Sequence, residues 1–134
     1  MSAEDDFNHK NVAHQQKLIN DAGGLITLGA HGQLQGLGAH WELWALTQGG
    51  MQPHEALQVA TINGAEYLGM DKQLGSLVAG KLADMIVLDK NPLEKIENSD
   101  SLNMTIINGV VYDADSMDQL WQQQVPRGKF YFQQ

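Results

Sequence analysis

Asn108-Gly109 stands between two runs of strand-forming residues, Met104-Thr105-Ile106-Ile107 and Val110-Val111-Tyr112. A two-residue hairpin turn whose twist matches its strands needs positive φ at both central positions, and Asn followed by Gly meets that need at least steric cost. The spacing predicts an antiparallel hairpin over residues 102–112. A lone hairpin is marginal in water, so more sheet has to lie beside it. Residues 83–88, Ala-Asp-Met-Ile-Val-Leu, supply the next strand, and Asp89-Lys90-Asn91-Pro92 supplies a turn after it. Leu74-Gly75-Ser76-Leu77 and Ala79-Gly80-Lys81 read as turn-rich short strands, and residues 93–101 as a polar connector.

The first half of the chain has a different period. Residues 9–20 form a predicted helix with Val12, Leu18 and Ile19 on its apolar side, ended by Ala22-Gly23-Gly24. Leu25-Ile26-Thr27-Leu28 then reads as a short buried strand, the helix–glycine–strand rhythm of an α/β unit. Residues 29–38 carry four glycines, which mark an irregular loop after that strand. Loops at strand C-termini form active sites in α/β folds, although glycines there can equally serve tight turns and close packing. Residues 39–48 form a second predicted helix around Trp41, Trp44 and Leu46. A third begins at Pro53 with Glu55 in its first turn and breaks near Asn63-Gly64. Residues 114–124 are predicted helical, with Met117, Leu120 and Trp121 on one side. The tail places Phe130, Tyr131 and Phe132 near the end.

Composition removes several functions. The 134 residues suffice for one domain with its own core. The formal charge of −8 leaves no basic surface for a phosphate backbone, so nucleic acid is not an expected partner. With no cysteine, disulfides, thiolate metal sites and cysteine nucleophiles are excluded. The start, Met1-Ser2-Ala3-Glu4-Asp5-Asp6, is acidic and unlike a signal peptide, and no apolar run approaches the roughly 20 residues that span a bilayer. No membrane role is expected, and a cytoplasmic setting is slightly favoured. Residues 29–38 lack the order of a phosphate-binding loop, and no serine sits in a nucleophile elbow.

None of the five histidines pairs in a compact zinc motif. His9 and His14 are five residues apart and read as surface groups. His54 lies in a first helical turn, where the dipole disfavours a cation, and reads as a neutral packing or surface residue. His31 follows the predicted strand within the glycine-rich loop. There it can ligate a metal or shuttle a proton, or it can be a buried histidine hydrogen-bonded to a neighbouring loop. His40 and Glu42 are two apart, so they diverge on a helix while flanking one loop mouth, and His40 can orient the His31 loop. Asp84 reads as structural, with Lys81 near enough to pair with it.

In combination, several stretches resemble the C-terminal signature of the metal-dependent amidohydrolase superfamily, in particular its imidazolonepropionase-like and prolidase-like members. They are residues 75–89 (Gly-Ser-Leu-Val-Ala-Gly-Lys-Leu-Ala-Asp-Met-Ile-Val-Leu-Asp), Asn91-Pro92-Leu93, residues 107–112 and residues 51–65. Residues 32–42, Gly-Gln-Leu-Gln-Gly-Leu-Gly-Ala-His-Trp-Glu, look like a subgroup sometimes fused to a Tol-type propeller. The resemblance covers about residues 9–121. It implies an α/β chain made of the last strand and helices of a (β/α)8 barrel plus the C-terminal part of a small β-sandwich. The divisions it suggests are 9–72 for the barrel remnant, 73–113 for the β-rich part and 114–134 for a C-terminal helix and tail.

The same resemblance implies a hydrolase acting on carbon–nitrogen bonds (non-peptide or cyclic amides) of a small-molecule substrate. A divalent metal, zinc first among the candidates, would activate water in such an enzyme. Residues 25–29 match the last barrel strand. His31 fills the place where the family carries an aspartate, and is expected to be both catalytic and a metal ligand. Gln33, His40 and Glu42 are expected on the substrate-side loop. The remaining family ligands belong to earlier strands that a chain of this length does not include. A complete barrel takes about 250 residues. The expectation is therefore a fragment that holds no metal tightly, is inactive alone, and either joins a missing N-terminal part or assembles as a homo-oligomer. The alternative is a small α/β module that oligomerises without catalysis.

Overall fold

The computed structural model describes residues 8–31 and 34–133. Four α-helices precede a four-stranded antiparallel meander. The helices are α1 (Asn8–Asp21), α2 (Leu37–Gln48), α3 (Pro53–Val59) and α4 (Ile62–Tyr67). The strands β1 (Met85–Leu88), β2 (Leu102–Ile107), β3 (Val110–Asp113) and β4 (Gln119–Trp121) lie in the order β1-β2-β3-β4. A 3-10 turn, Ile96–Asp100, sits in the connection from β1 to β2.

Each helix boundary has a local cause. At the end of α1 the Gly24 amide donates to Ile19 O and the Gly23 amide to Asn20 O, with Gly23 at φ 83°. This paired closure needs a left-handed residue, which glycine supplies. In α3, Pro53 occupies the first turn and the Glu55 carboxylate accepts from the Gln52 backbone N–H at 2.8 Å. That bond satisfies one of the donors a helix start leaves open. The break between α3 and α4 falls at Ala60-Thr61 rather than at Asn63-Gly64, which lie inside α4. Asn63 does not end the helix because its side chain is committed to a carbonyl outside it.

The core is built where the helices meet the 3-10 turn. Leu43, Leu46, Met51, Ala56, Val59 and Ile96 form one buried cluster, with Ile26, Leu28, Trp44, Leu57 and Ala60 packed against it. Ile96 thus ties the sheet's connector to the helical half. Helix α1 joins through a close approach: a Cβ at Gly49 would lie 2.3 Å from the Ala13 carbonyl carbon and 2.6 Å from the His14 amide nitrogen. Only glycine permits that spacing.

The hairpin forms as the Asn-Gly pair predicts. Ile107 pairs with Val110, and Asn108 and Gly109 take φ values of 48° and 81°. The turn is also tied to β1, since Asp84 Oδ1 accepts from the Asn108 N–H at 2.6 Å and the Gly109 N–H donates to Ala83 O at 3.0 Å. Asp84 is structural as read. Lys81 does not pair with it. The ammonium instead donates to Asp71 O, Leu74 O and Ser76 Oγ, which closes residues 71–81 into turns rather than short strands.

Two further expectations are corrected. Residues 114–124 are not a helix: Asp113 Oδ1 accepts from the Ser116 and Asp115 amides, Met117 takes φ 63°, and the chain returns as β4 along β3. The i, i+3, i+4 spacing of Met117, Leu120 and Trp121 imitates a helical stripe, but an Asp-initiated turn competes successfully for those amides. Strand β4 thus continues the sheet to residue 121. Residues 25–28 are extended but are not a strand in a ladder, because no neighbouring strand lies beside them among the described residues. At the chain end, the Arg127 guanidinium lies 3.9 Å over the Phe130 ring. No helix among the described residues is long and apolar enough to cross a membrane.

Candidate functional site

Residues 25–29 run from the end of α1 toward α2, against α3 and α4. Their backbone groups are held by other elements. The Leu28 amide donates to Val59 O at 3.3 Å, at the end of α3. Asn63 Nδ2, on α4, donates to Ile26 O at 3.0 Å. The Gly29 amide donates to the Glu42 carboxylate, 3.0 Å from Oε2 and 3.2 Å from Oε1. Ala30 and His31 after it are exposed, and His31 has its side chain open to solvent. The buried, loop-bonded alternative for His31 does not occur.

The other proposed site residues separate as their spacing implies. His40 points to the 3-10 turn, where its Nδ1 lies 3.0 Å from Ser99 Oγ. The same hydroxyl accepts from Trp44 Nε1 at 3.0 Å, and the His40 and Trp44 rings are 6.5 Å apart. Ser99 is 3% exposed. His40 is thus engaged away from the His31 segment, in a polar knot joining α2 to the sheet connector. Glu42 turns the other way, onto Gly29. Gln33 lies outside the described residues. His54 is exposed. His14 Nδ1 donates to Gly49 O at 3.3 Å and His9 Nε2 lies 2.9 Å from Gln48 Oε1, so both reach the end of α2.

Asn63 and Ser99 were not singled out from the sequence. Asn63 had a local signal, a polar amide inside a helical run, but its partner lies 37 positions away. Ser99 had none: it sits in a polar connector, and only the fold brings it to α2.

A metal site can be tested on these residues. No group of three or more His, Asp or Glu side chains is placed to hold a metal ion among the described residues. His31 alone does not make a centre, since a zinc site takes about four ligands. The residues present do not fit a complete site, and no reaction step is derived through a metal. A cleft of about 750 Å³ lies elsewhere, between α3–α4 and β1, lined by Leu57, Thr61, Leu77, Asp84 and Ile86 among others.

Comparison with known proteins gives a consistent picture. The profile of the amidohydrolase family matches residues 4–112. A 5′-deoxyadenosine deaminase of Methanobrevibacter smithii is 38% identical over 68 residues, 48% of this chain and 16% of the deaminase. An imidazolonepropionase of Symbiobacterium thermophilum is 54% identical over 39 residues, 29% of this chain and 9% of that enzyme. Among solved structures, a Xaa-Pro dipeptidase with bound methionine in its active site superposes with a TM-score of 0.69 and 28% identity, covering 78% of this chain and 25% of the dipeptidase. The chain spans a small part of the length of each protein it matches.

Proposed function

The chain belongs to the amidohydrolase family, and on that premise we propose that it supplies one part of a hydrolase cleaving carbon–nitrogen bonds of small molecules in the cytoplasm. Family members generally use a divalent metal. Zinc is the metal proposed here, on the resemblance to metal-dependent amidohydrolases and not on a donor set in this chain. The observation that carries the reading is the exposed His31, two residues beyond residues 25–29, a segment that we take as the counterpart of a barrel strand and that is pinned from α2, α3 and α4. Residues at such strand ends carry chemistry in barrel enzymes. His31 is proposed to act on the reacting side, as ligand or base, with Gln33 on the same loop. The deaminase and imidazolonepropionase relatives support a non-peptide or cyclic amide target, and the Xaa-Pro dipeptidase neighbour sets a peptide bond beside it as the competing target.

The 134-residue chain alone is proposed to be inactive, because its described residues assemble no metal site. Metal analysis and turnover assays on the pure chain test this: stoichiometric zinc with hydrolysis would overturn it. A chimera carrying residues 9–121 within a related deaminase tests His31. His31→Ala should lower turnover by about 100-fold or more, a loss of the size expected for an acid–base group or ligand. Unchanged turnover would remove His31 from the site.

A second reading, a non-catalytic oligomerising module, is favoured by apolar side chains exposed on α2 and just before it: Leu37 and Trp41 on the helix, the latter 47% exposed, and Leu34 ahead of it. A strictly monomeric chain at high concentration that binds no apolar dye and melts cooperatively would count against it.

A further inference from the structure

Residues 25–29 lie extended without a ladder, so side chains and helix ends must satisfy what a neighbouring strand would otherwise satisfy. Val59 and Asn63 grip the middle of the segment, at Leu28 and Ile26. Among the described residues, Glu42 is the side chain that grips its last residue, two positions before His31. Packing does not do this job: a Cβ built on Gly29 would meet nothing within 4 Å, and residues 29–31 are all exposed.

We propose that Glu42 is a positioning residue. Its carboxylate latches the Gly29 amide and so fixes the direction in which the chain carries His31, instead of facing substrate itself. The bond spans 13 positions and ties Gly29 to the second turn of α2. Without it the loop would have one tether fewer against its own entropy. An N–H bond to a carboxylate is roughly twice as strong as one to a neutral acceptor, which explains why an ionised group suits this exposed place. The glutamate can reach because it lies on α2 one turn before the buried Leu46, at the edge of the core face, and points away from the His40–Trp44 side. That His31 is worth aiming rests on the reading given under Proposed function; the latch itself does not.

The test uses the 134-residue chain with ¹⁵N-glycine and ring-¹³C histidine, compared with Glu42→Gln and Glu42→Ala. Amide exchange at Gly29 should be about tenfold faster in Glu42→Ala, and less accelerated in Glu42→Gln, which keeps a neutral acceptor. The His31 ring resonance should move in Glu42→Ala and return part of the way in Glu42→Gln, while the His54 resonance stays in place. A residue that merely supported α2 would alter melting without this graded change at His31. Unchanged Gly29 exchange and an unmoved His31 signal in folded Glu42→Ala would overturn the proposal. If that variant does not fold, the near-isosteric Glu42→Gln decides alone: intermediate exchange upholds the latch, and wild-type exchange refutes it. Absence of metal or turnover bears only on the hydrolase reading and leaves these signals untouched.

Discussion

Replacing Ser99 with alanine should cost far more than a surface hydroxyl ordinarily does. Ser99 Oγ is the shared partner of Trp44 Nε1 and His40 Nδ1, each at 3.0 Å, and the residue is 3% exposed. Alanine removes one acceptor and strands two ring nitrogens. A buried donor left without a partner costs about 1–3 kcal/mol, but both rings are only half-buried and regain some water. The total works out at roughly 2 kcal/mol. For a chain of this size each kcal/mol moves the melting temperature by about 3–4 °C, so the expected drop is about 7 °C. Thermal melts and urea titrations of wild type, Ser99→Ala, Trp44→Phe and the double variant form a cycle. Trp44→Phe removes the same N–H from the other side, so the two losses should overlap by about 1 kcal/mol. Strict additivity, or a Ser99→Ala loss below about 0.5 kcal/mol, would refute the claim that this hydroxyl joins α2 to the sheet connector.

Asn63→Asp keeps the shape but deletes the donor to Ile26 O and sets a carboxylate against a carbonyl; a loss of about 1–3 kcal/mol is expected by urea titration, against less for Asn63→Ser. Gly75→Ala places a Cβ 2.6 Å from Ala65 Cβ at φ 86°, whereas Gly80→Ala at φ 97° meets open space; the first should cost at least about 1 kcal/mol more than the second, measured by melting. Gly49→Ala should loosen α1, seen as faster amide exchange in residues 8–21 than in α3, because its Cβ would collide with α1 backbone. Asp113 is held below the ordinary carboxylate range chiefly by the Ser116 amide bond. Since its folded pKa is depressed, its contribution to stability is present above about pH 4 and disappears as pH falls further. Asp113→Asn should therefore flatten part of the acid limb of the stability curve below about pH 4, and an identical acid limb would count against it.

Local chemistry carried the readable part of this fold. Asn108-Gly109 specified its hairpin because the backbone demand and the residues that meet it sit at the same two positions. Pro53 and Gly23-Gly24 marked helix ends for the same reason. Residues 114–124 misled because three apolar residues at helical spacing carry less information than one aspartate able to cap the following amides. The strand expected at 25–28 failed in another way: its composition suits a ladder, but a ladder is a property of neighbours. His31 was legible as an isolated histidine after an apolar run. Its surroundings were not, since the bonds that define them join Gly29 to Glu42, Ile26 to Asn63 and His40 to Ser99, the last across 59 positions.

Those long-range bonds share a physical logic. The buried cluster draws on α2, α3 and the 3-10 turn, while residues 25–29 contribute only half-buried side chains to its edge. Apolar burial is non-directional and cannot by itself choose an orientation for such a segment. Directional bonds can. Val59 O, the Asn63 amide and the Glu42 carboxylate come from three different helices and meet three successive stretches of one short backbone. Removing any one leaves the others to hold position but not direction, so paired substitutions should weaken Gly29 protection by more than the sum of the single effects. Asn63→Ala with Glu42→Ala is the decisive pair: additive amide exchange would show that the two bonds act independently, and greater-than-additive exchange that they define one orientation together.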